Sequence, residues 1–176
     1  MGVTIAELND LDREHFVEAI GWVFEHSPWV AELAWTRRPF GSVDDLHRAM
    51  IAAVADAGRE RQTALLRAHP DLGTRARMSD ASVGEQAGAG LDRLTPDDHA
   101  RLQRLNGAYR QEFGFPFLFA VKGSTSQQVL SALEGRLPRD HEEEFAEALR
   151  QVYRIARFRL DDLFAGPEGP RRIDHS

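Results

Sequence analysis

One histidine of this chain lies where its side chain could transfer protons. In the sequence Ala68-His69-Pro70, the residue before proline is disfavoured in the α conformation, so His69 should leave a helix as that helix ends. Pro70 restricts the next backbone angle and would hold the imidazole on a rigid corner. A histidine in such a place suits general acid–base chemistry near neutral pH. The alternative is a surface histidine beside an ordinary turn, and the dipeptide alone favours that alternative because His-Pro is common.

A second group of polar residues lies between Ser82 and Gln86, where the sequence is Ser-Val-Gly-Glu-Gln. Ser82 and Glu85 have the spacing of a capping box, and the spacing alone favours this ordinary role at a helix start. The run Ala87-Gly88-Ala89-Gly90 follows, and its small residues would let a ligand approach the backbone closely. A hydroxyl, a carboxylate and an amide together suit a ligand rich in urea-type N–H and C=O groups.

Arg159 falls in line with the apolar stripe of the last predicted helix. That stripe consists of Phe145, Leu149, Val152, Ala156 and Leu163. A charge on a buried stripe is costly unless it is paired. One interpretation is an internal ion pair with Glu85 or another acid. The other is a guanidinium that faces a pocket and binds a carboxylate in bidentate fashion, in which case Arg159→Met should leave stability nearly unchanged.

Composition restricts the class of protein. The chain has 176 residues, 42% hydrophobic and 28% charged, which fits one globular domain. A net charge of -6 argues against a nucleic-acid partner. The lack of cysteine excludes disulfides, thiolate metal sites and a cysteine nucleophile. No apolar run approaches a membrane span and no signal-peptide pattern is present, so we expect a cytoplasmic protein without a membrane partner.

Helix start and stop signals dominate the chain. Five of the predicted helices cover residues 12–25, 43–57, 96–113, 126–135 and 140–164. Two shorter ones are expected: a helix that is capped by Ser27 and has Pro28 at its first position, and a helix that begins after Gly58 and ends near residue 68. The apolar run Phe115–Val121 has no helical period. We therefore predict an all-α, single-domain helical bundle with a short apolar non-helical insert, formed by residues 1–165, and a flexible tail at 166–176.

Short motifs follow one another in order along nearly the whole chain. They are Leu8-Asn9-x-Leu11, Phe24-Glu25-x-Ser27-Pro28-Trp29-Val30-Ala31-Glu32, Arg38-Pro39-Phe40, Ala68-His69-Pro70-Asp71-Leu72, Ser82-x-x-Glu85-Gln86, Ala89-Gly90-Leu91, Phe113-Gly114-Phe115-Pro116-Phe117 and Arg157-Phe158-Arg159-Leu160-Asp161-Asp162-Leu163. This order and spacing resemble the 2-oxo-4-hydroxy-4-carboxy-5-ureidoimidazoline (OHCU) decarboxylase family. The resemblance implies an all-helical, cofactor-free enzyme that forms (S)-allantoin in urate degradation.

The resemblance also implies which residues form the site. His69 matches the catalytic histidine, and we predict Glu85 as its catalytic partner, which either orients the imidazole or binds ureido N–H groups. The predicted substrate-binding residues are Pro70, Ser82, Val83, Gly84, Glu85, Gln86, Phe117, Leu118, Phe119, Ala120, Val121 and Arg159. The partner is a small-molecule substrate, and a homodimer is a further expectation.

The chemistry of such a substrate needs no external electron sink. Loss of CO2 leaves an electron pair that the adjacent C=N bond can absorb, so neither pyridoxal nor thiamin is required. No metal site is predicted, because His69 and Glu85 lack further ligands at metal-binding spacing. Two hypotheses from other classes remain at this point: a metal-assisted amidohydrolase of a ureido compound, and a non-catalytic helical interaction module.

Overall fold

The computed structural model describes residues 2–73 and 79–165, and in these residues it is entirely helical, without strands. The helices are α1 (Ile5–Asp10), α2 (Arg13–Ile20), a 3-10 turn (Gly21–Val23), α3 (Trp29–Trp35), α4 (Val43–Asp56), α5 (Arg59–Arg67), α6 (Asp80–Gly88), α7 (Pro96–Phe113), α8 (Ser126–Arg136) and α9 (His141–Ala165). The predicted all-α bundle is thereby confirmed. The predicted tail lies outside the described residues.

The long helix α9 organises the bundle. It packs against α4, α5, α7 and the 3-10 turn, while α3 joins α2 to α4. The apolar stripe predicted for this helix faces the core, where Phe145, Val152 and Ala156 are buried. Arg159 is buried on the same stripe, one turn further along. No helix in the two described ranges is long and apolar enough to cross a membrane.

Several helix ends follow the local signals in the sequence. Thr95 caps α7 through a 3.2 Å bond from the Asp98 N–H, Pro96 is the first helical residue, and Gly114 ends the helix in the left-handed conformation with φ 80°. Ser42 caps α4 by accepting from the Asp45 N–H. These caps act within four residues, so the sequence alone predicts them well.

Other boundaries differ from the prediction. The first predicted helix ends at Ile20 and continues only as the 3-10 turn, and α1 precedes it. Pro28 is the N-cap of α3, and Ser27 instead donates its hydroxyl to the Glu25 carbonyl at 2.9 Å. The capping box predicted at Ser82 is wrong, because α6 begins at Asp80. Ser79 is its cap and accepts from the Ser82 N–H.

The insert Phe115–Val121 is non-helical and packs into the core rather than over the surface. Its ring at Phe117 meets the buried Tyr109 ring edge-on, with centroids 5.3 Å apart. Pro116 prevents the insert from extending α7. The insert thus brings non-helical backbone into the interior, next to the residues that end α5.

Candidate functional site

His69 lies two residues after the end of α5 and is buried, with 6% of its surface exposed. Its Nδ1 is 2.9 Å from the Leu65 carbonyl oxygen. Because a carbonyl can only accept a hydrogen bond, Nδ1 carries the proton and Nε2 of the neutral ring keeps its lone pair. The helix exit is placed as predicted, but the alternative of a surface histidine is wrong.

The environment of His69 favours the neutral imidazole. Burial lowers the pKa of His69 to about 4, and the opposing effects of the Leu65 carbonyl and the Glu25 carboxylate do not compensate. The charges of Arg159 and His26 act in the same direction as burial and contribute to this low pKa. Near neutral pH the ring is therefore an uncharged base with Nε2 ready to accept a proton.

Glu25 is a fully buried carboxylate that the sequence-based site prediction missed. It follows the 3-10 turn and accepts three hydrogen bonds, at 2.9 Å from the Ser79 N–H and at 2.7 Å from the hydroxyls of Ser79 and Ser82. Burial alone would raise the pKa of Glu25, but these bonds and the charge of Arg159 lower it to about 2. The only local signal was an acid directly after the apolar pair Val23-Phe24.

Arg159 joins Glu25 to Glu85. Its Nε and Nη2 bind the two carboxylate oxygens of Glu85 at 2.8 and 3.1 Å, and Nη2 is 3.1 Å from Glu25 Oε2. Nη2 also donates to the Ser82 hydroxyl, and Nη1 approaches the carbonyls of residues 22 and 23. The internal ion pair left open by the sequence is therefore present. We call Glu25, Glu85 and Arg159 the site cluster.

This geometry contradicts the interpretation of Arg159 as a free guanidinium fork, that is, a guanidinium available for bidentate binding of a substrate carboxylate. All five N–H groups of Arg159 have partners within the protein, and Glu85 occupies the bidentate edge. The Glu85 carboxylate binds this arginine, while the Leu65 carbonyl orients His69. The hypothesis that Glu85 orients the imidazole is thus replaced by a backbone contact.

A small cavity of about 30 Å³ joins these groups. Its walls are His69, Pro70, Leu72, Ser82, Glu85, Gln86, Phe117, Leu118, Phe119, Val121, Ile155 and Arg159. The structure therefore brings together ten of the predicted site residues, and it adds Leu72 and Ile155, which the prediction lacked. Gln86 also binds the Gly73 N–H through Oε1 at 2.9 Å, which fixes the chain just after the His69 corner.

Three predicted residues lie off the wall of this cavity. Val83 is half exposed, and Gly84 borders a surface hollow of about 430 Å³ instead. Both lie on α6, where helical periodicity turns Ser82, Glu85 and Gln86 inward and the two intervening residues outward. Ala120 uses its N–H to bind Gln151 Oε1 at 2.9 Å. The prediction took the two segments whole, whereas in the structure Val83, Gly84 and Ala120 do not line the cavity.

Among residues 2–73 and 79–165, no three His, Cys, Asp or Glu side chains are grouped so that they could hold a metal ion. The polar groups of the cavity are instead a hydroxyl, an amide, an imidazole, a guanidinium and a carboxylate. Hydrogen-bond donors and acceptors thus lie in the same cavity as an apolar wall formed by Phe117, Leu118 and Val121. Such a set suits a small polar heterocycle with N–H and C=O groups.

Comparisons with known proteins agree with this chemistry. The sequence model of the family described as OHCU decarboxylase matches residues 9–161. A 2-oxo-4-hydroxy-4-carboxy-5-ureidoimidazoline decarboxylase of Haloferax volcanii is 50% identical over 163 residues, which cover 93% of this chain and 97% of the relative. The enzyme of the same name from Halalkalicoccus jeotgali is 47% identical over 167 residues and 95% of each chain.

A solved structure also resembles this fold. The crystal structure of an (S)-allantoin synthase superposes with a TM-score of 0.74 at 34% sequence identity. The superposition covers 90% of this chain and 53% of that chain.

Proposed function

This chain belongs to the OHCU decarboxylase family, and we propose that the cavity beside His69 is where it converts 2-oxo-4-hydroxy-4-carboxy-5-ureidoimidazoline to (S)-allantoin. The chain is a carboxy-lyase of urate degradation, and the amidohydrolase and interaction-module hypotheses are set aside. One observation carries the choice of cavity: a buried, neutral His69 has its Nδ1 bound to Leu65 and its Nε2 available as a base.

The reaction can proceed without an added electron sink. The substrate carries a carboxylate and a hydroxyl on C4, next to the C5=N bond. When the bond from C4 to the carboxylate breaks, its electron pair moves into C5=N, and the ring nitrogen takes up a proton. The hydroxyl of the resulting enol then loses its proton as C4=O forms, and C5 gains one from a single face. One proton is consumed for each CO2 released, and we propose that no cofactor takes part.

We assign the proton transfer between O4 and C5 to His69. Neutral Nε2 accepts the hydroxyl proton, and the imidazolium so formed returns it to C5. Because burial lowers the pKa of His69, the imidazolium is a stronger acid than an exposed one and gives up its proton readily. The fixed Nδ1–Leu65 bond keeps Nε2 on one side of the substrate, which accounts for a single product enantiomer.

The other polar residues would bind the rest of the substrate. Each oxygen of Glu85 retains a lone pair beyond its bond to Arg159, so the carboxylate can accept from ureido N–H groups. Ser82 and Gln86 lie on the same cavity wall, so their side chains would border the bound substrate. We propose that Arg159 contributes by holding Glu25 and Glu85 in place, because its own donors are already engaged.

Substrate binding must enlarge the cavity. A volume of about 30 Å³ accommodates one or two water molecules, whereas the substrate is a substituted ring. Among the apolar wall residues, Phe119 and Ile155 are only partly buried, so we expect their side chains to move first.

A homodimer and a cytoplasmic location stay predictions from the sequence, as does the domain boundary at residue 165.

Replacement of His69 by Asn tests the assignment. The variant loses the proton carrier, so kcat should fall by about 10² or more while the far-ultraviolet circular dichroism stays that of a folded helical protein. Formation of allantoin from freshly generated substrate is followed by circular dichroism above the spontaneous reaction. His15→Asn removes an exposed imidazole outside the cavity and should leave turnover unchanged. Activity of His69→Asn within a few-fold of wild type would overturn the proposal.

A further inference from the structure

A second buried polar group lies outside the cavity wall. Glu144 on α9 is fully buried, and its Oε1 accepts from the Tyr109 hydroxyl and from Arg136 Nε, both at 2.5 Å. Tyr109 is equally buried and Arg136 is 7% exposed. We call Tyr109, Arg136 and Glu144 the support cluster. The proposed reaction uses none of them.

The support cluster contacts the backbone of the insert. Arg136 Nη1 donates to the Leu118 carbonyl at 2.6 Å, and its guanidinium lies 4.5 Å from the centroid of the Phe117 ring. Two residues further along, the Ala120 N–H donates to Gln151 Oε1 at 2.9 Å. Gln151 is itself held by a 2.9 Å bond from its Nε2 to Glu147. Side chains of α8 and α9 therefore bind alternate residues of the insert.

Packing alone does not account for these contacts. A buried arginine–carboxylate pair is often no more stable than apolar residues of similar volume. A buried non-helical segment, however, needs side chains to satisfy its backbone groups. In the described ranges, the N–H groups of Leu118, Phe119 and Val121 have no hydrogen-bond partner, and all three residues line the cavity. The bonds to Arg136 and Gln151 thus fix the insert and leave other N–H groups open.

We propose that Arg136 and Gln151 are positioning residues for the decarboxylation. By holding the Leu118 carbonyl and the Ala120 N–H, they fix the insert so that its remaining N–H groups meet the carbonyl oxygens of the substrate. The orientation of the ring, and therefore the face of C5 that meets His69, depends on this register. The inference rests on the proposed function, because it takes the cavity beside His69 as the substrate site.

Gln151→Leu tests the proposal with little change of volume. Loss of the acceptor for Ala120 should let the insert shift, so KM should rise by about tenfold or more and the excess of (S)-allantoin should fall. The double variant Gln151→Glu/Glu147→Gln exchanges the amide and the carboxylate between the two positions. Both hydrogen bonds can still form, so KM and stereospecificity should be those of wild type. Asn9→Leu is the matched control, since Asn9 also binds backbone groups, at Phe40, and neither residue lines the cavity. It should lower the melting temperature and leave KM unchanged.

A triple variant separates positioning from stability at the support cluster. Tyr109→Phe/Arg136→Met/Glu144→Leu removes the polar groups together and strands no charge, so the protein should stay folded. Its melting temperature should lie near or above that of wild type, yet its KM should rise and its product should lose enantiomeric purity. Wild-type KM and stereospecificity in both this variant and Gln151→Leu would overturn the positioning role. His69→Asn, assayed in parallel, distinguishes that outcome: if His69→Asn remains active, the proposed site itself is wrong.

Discussion

Two arginine–carboxylate groups, each with a buried arginine, adjoin the insert, and they differ in charge and in what they border. The site cluster has one guanidinium and two carboxylates, so it carries a net negative charge beside the neutral His69. The support cluster pairs Arg136 with Glu144 and is balanced; burial raises the pKa of its Tyr109, which stays neutral. The same residue types thus serve different purposes. The negatively charged site cluster lies at the cavity beside the base His69, and the balanced support cluster binds the backbone of the insert.

The difference in charge makes Arg159→Met the more damaging of the two arginine substitutions. The change removes the cation from two carboxylates, the fully buried Glu25 and the partly exposed Glu85, whereas Arg136→Met removes it from Glu144 alone. We expect Arg159→Met to lower the free energy of unfolding by about 3–5 kcal/mol or more, and by more than Arg136→Met does. Urea denaturation of both variants measures this. The result would replace the sequence-based expectation of a nearly neutral substitution.

Equal stability of wild type and Arg159→Met would contradict the site cluster as described. It would mean that the guanidinium is not holding Glu25 and Glu85, and the free-fork interpretation would regain its support.

Replacement of one carboxylate in each group sharpens the comparison at a smaller scale. Glu25→Gln leaves Arg159 paired with Glu85, and its side-chain oxygen can still accept from Ser79 or Ser82. We expect a loss of about 1–3 kcal/mol in the free energy of unfolding. Glu144→Gln leaves Arg136 without a carboxylate and should cost about 3–5 kcal/mol. Thermal and urea unfolding give both values, and the reverse order would show that net charge does not distinguish the two groups.

The sequence predicts the local part of this structure well and the long-range part poorly. The start and end of α7 follow from Thr95, Pro96 and Gly114, which act on their immediate neighbours. The burial of Glu25 depends on Ser79 and Ser82, which lie 54 and 57 residues away. No periodicity or cap signal encodes such a contact.

Ser82 and Glu85 illustrate how one pattern can have two outcomes. Their spacing fits a capping box, but in the fold Ser82 binds Glu25 and Glu85 binds Arg159. Hydrogen bonds to residues distant in sequence compete with the capping bonds inside the helix. Here the distant partners are the ones that form. Ten residues of the cavity wall could be named from motifs, whereas Val83, Gly84 and Ala120 could be separated from them only by the backbone geometry.

The tautomer and protonation of His69 test the central claim most directly. NMR of the protein with isotope-labelled histidine ring nitrogens reports both, as the pH is lowered from neutral. We predict a neutral ring with the proton on Nδ1 at neutral pH, because Leu65 accepts that proton, and a gain of charge only as the pH falls toward about 4. The same ring should be absent from the spectrum of His69→Asn, which assigns it. A ring at position 69 that is doubly protonated at neutral pH, or that carries its proton on Nε2, would contradict the account, because no base would then face the substrate hydroxyl.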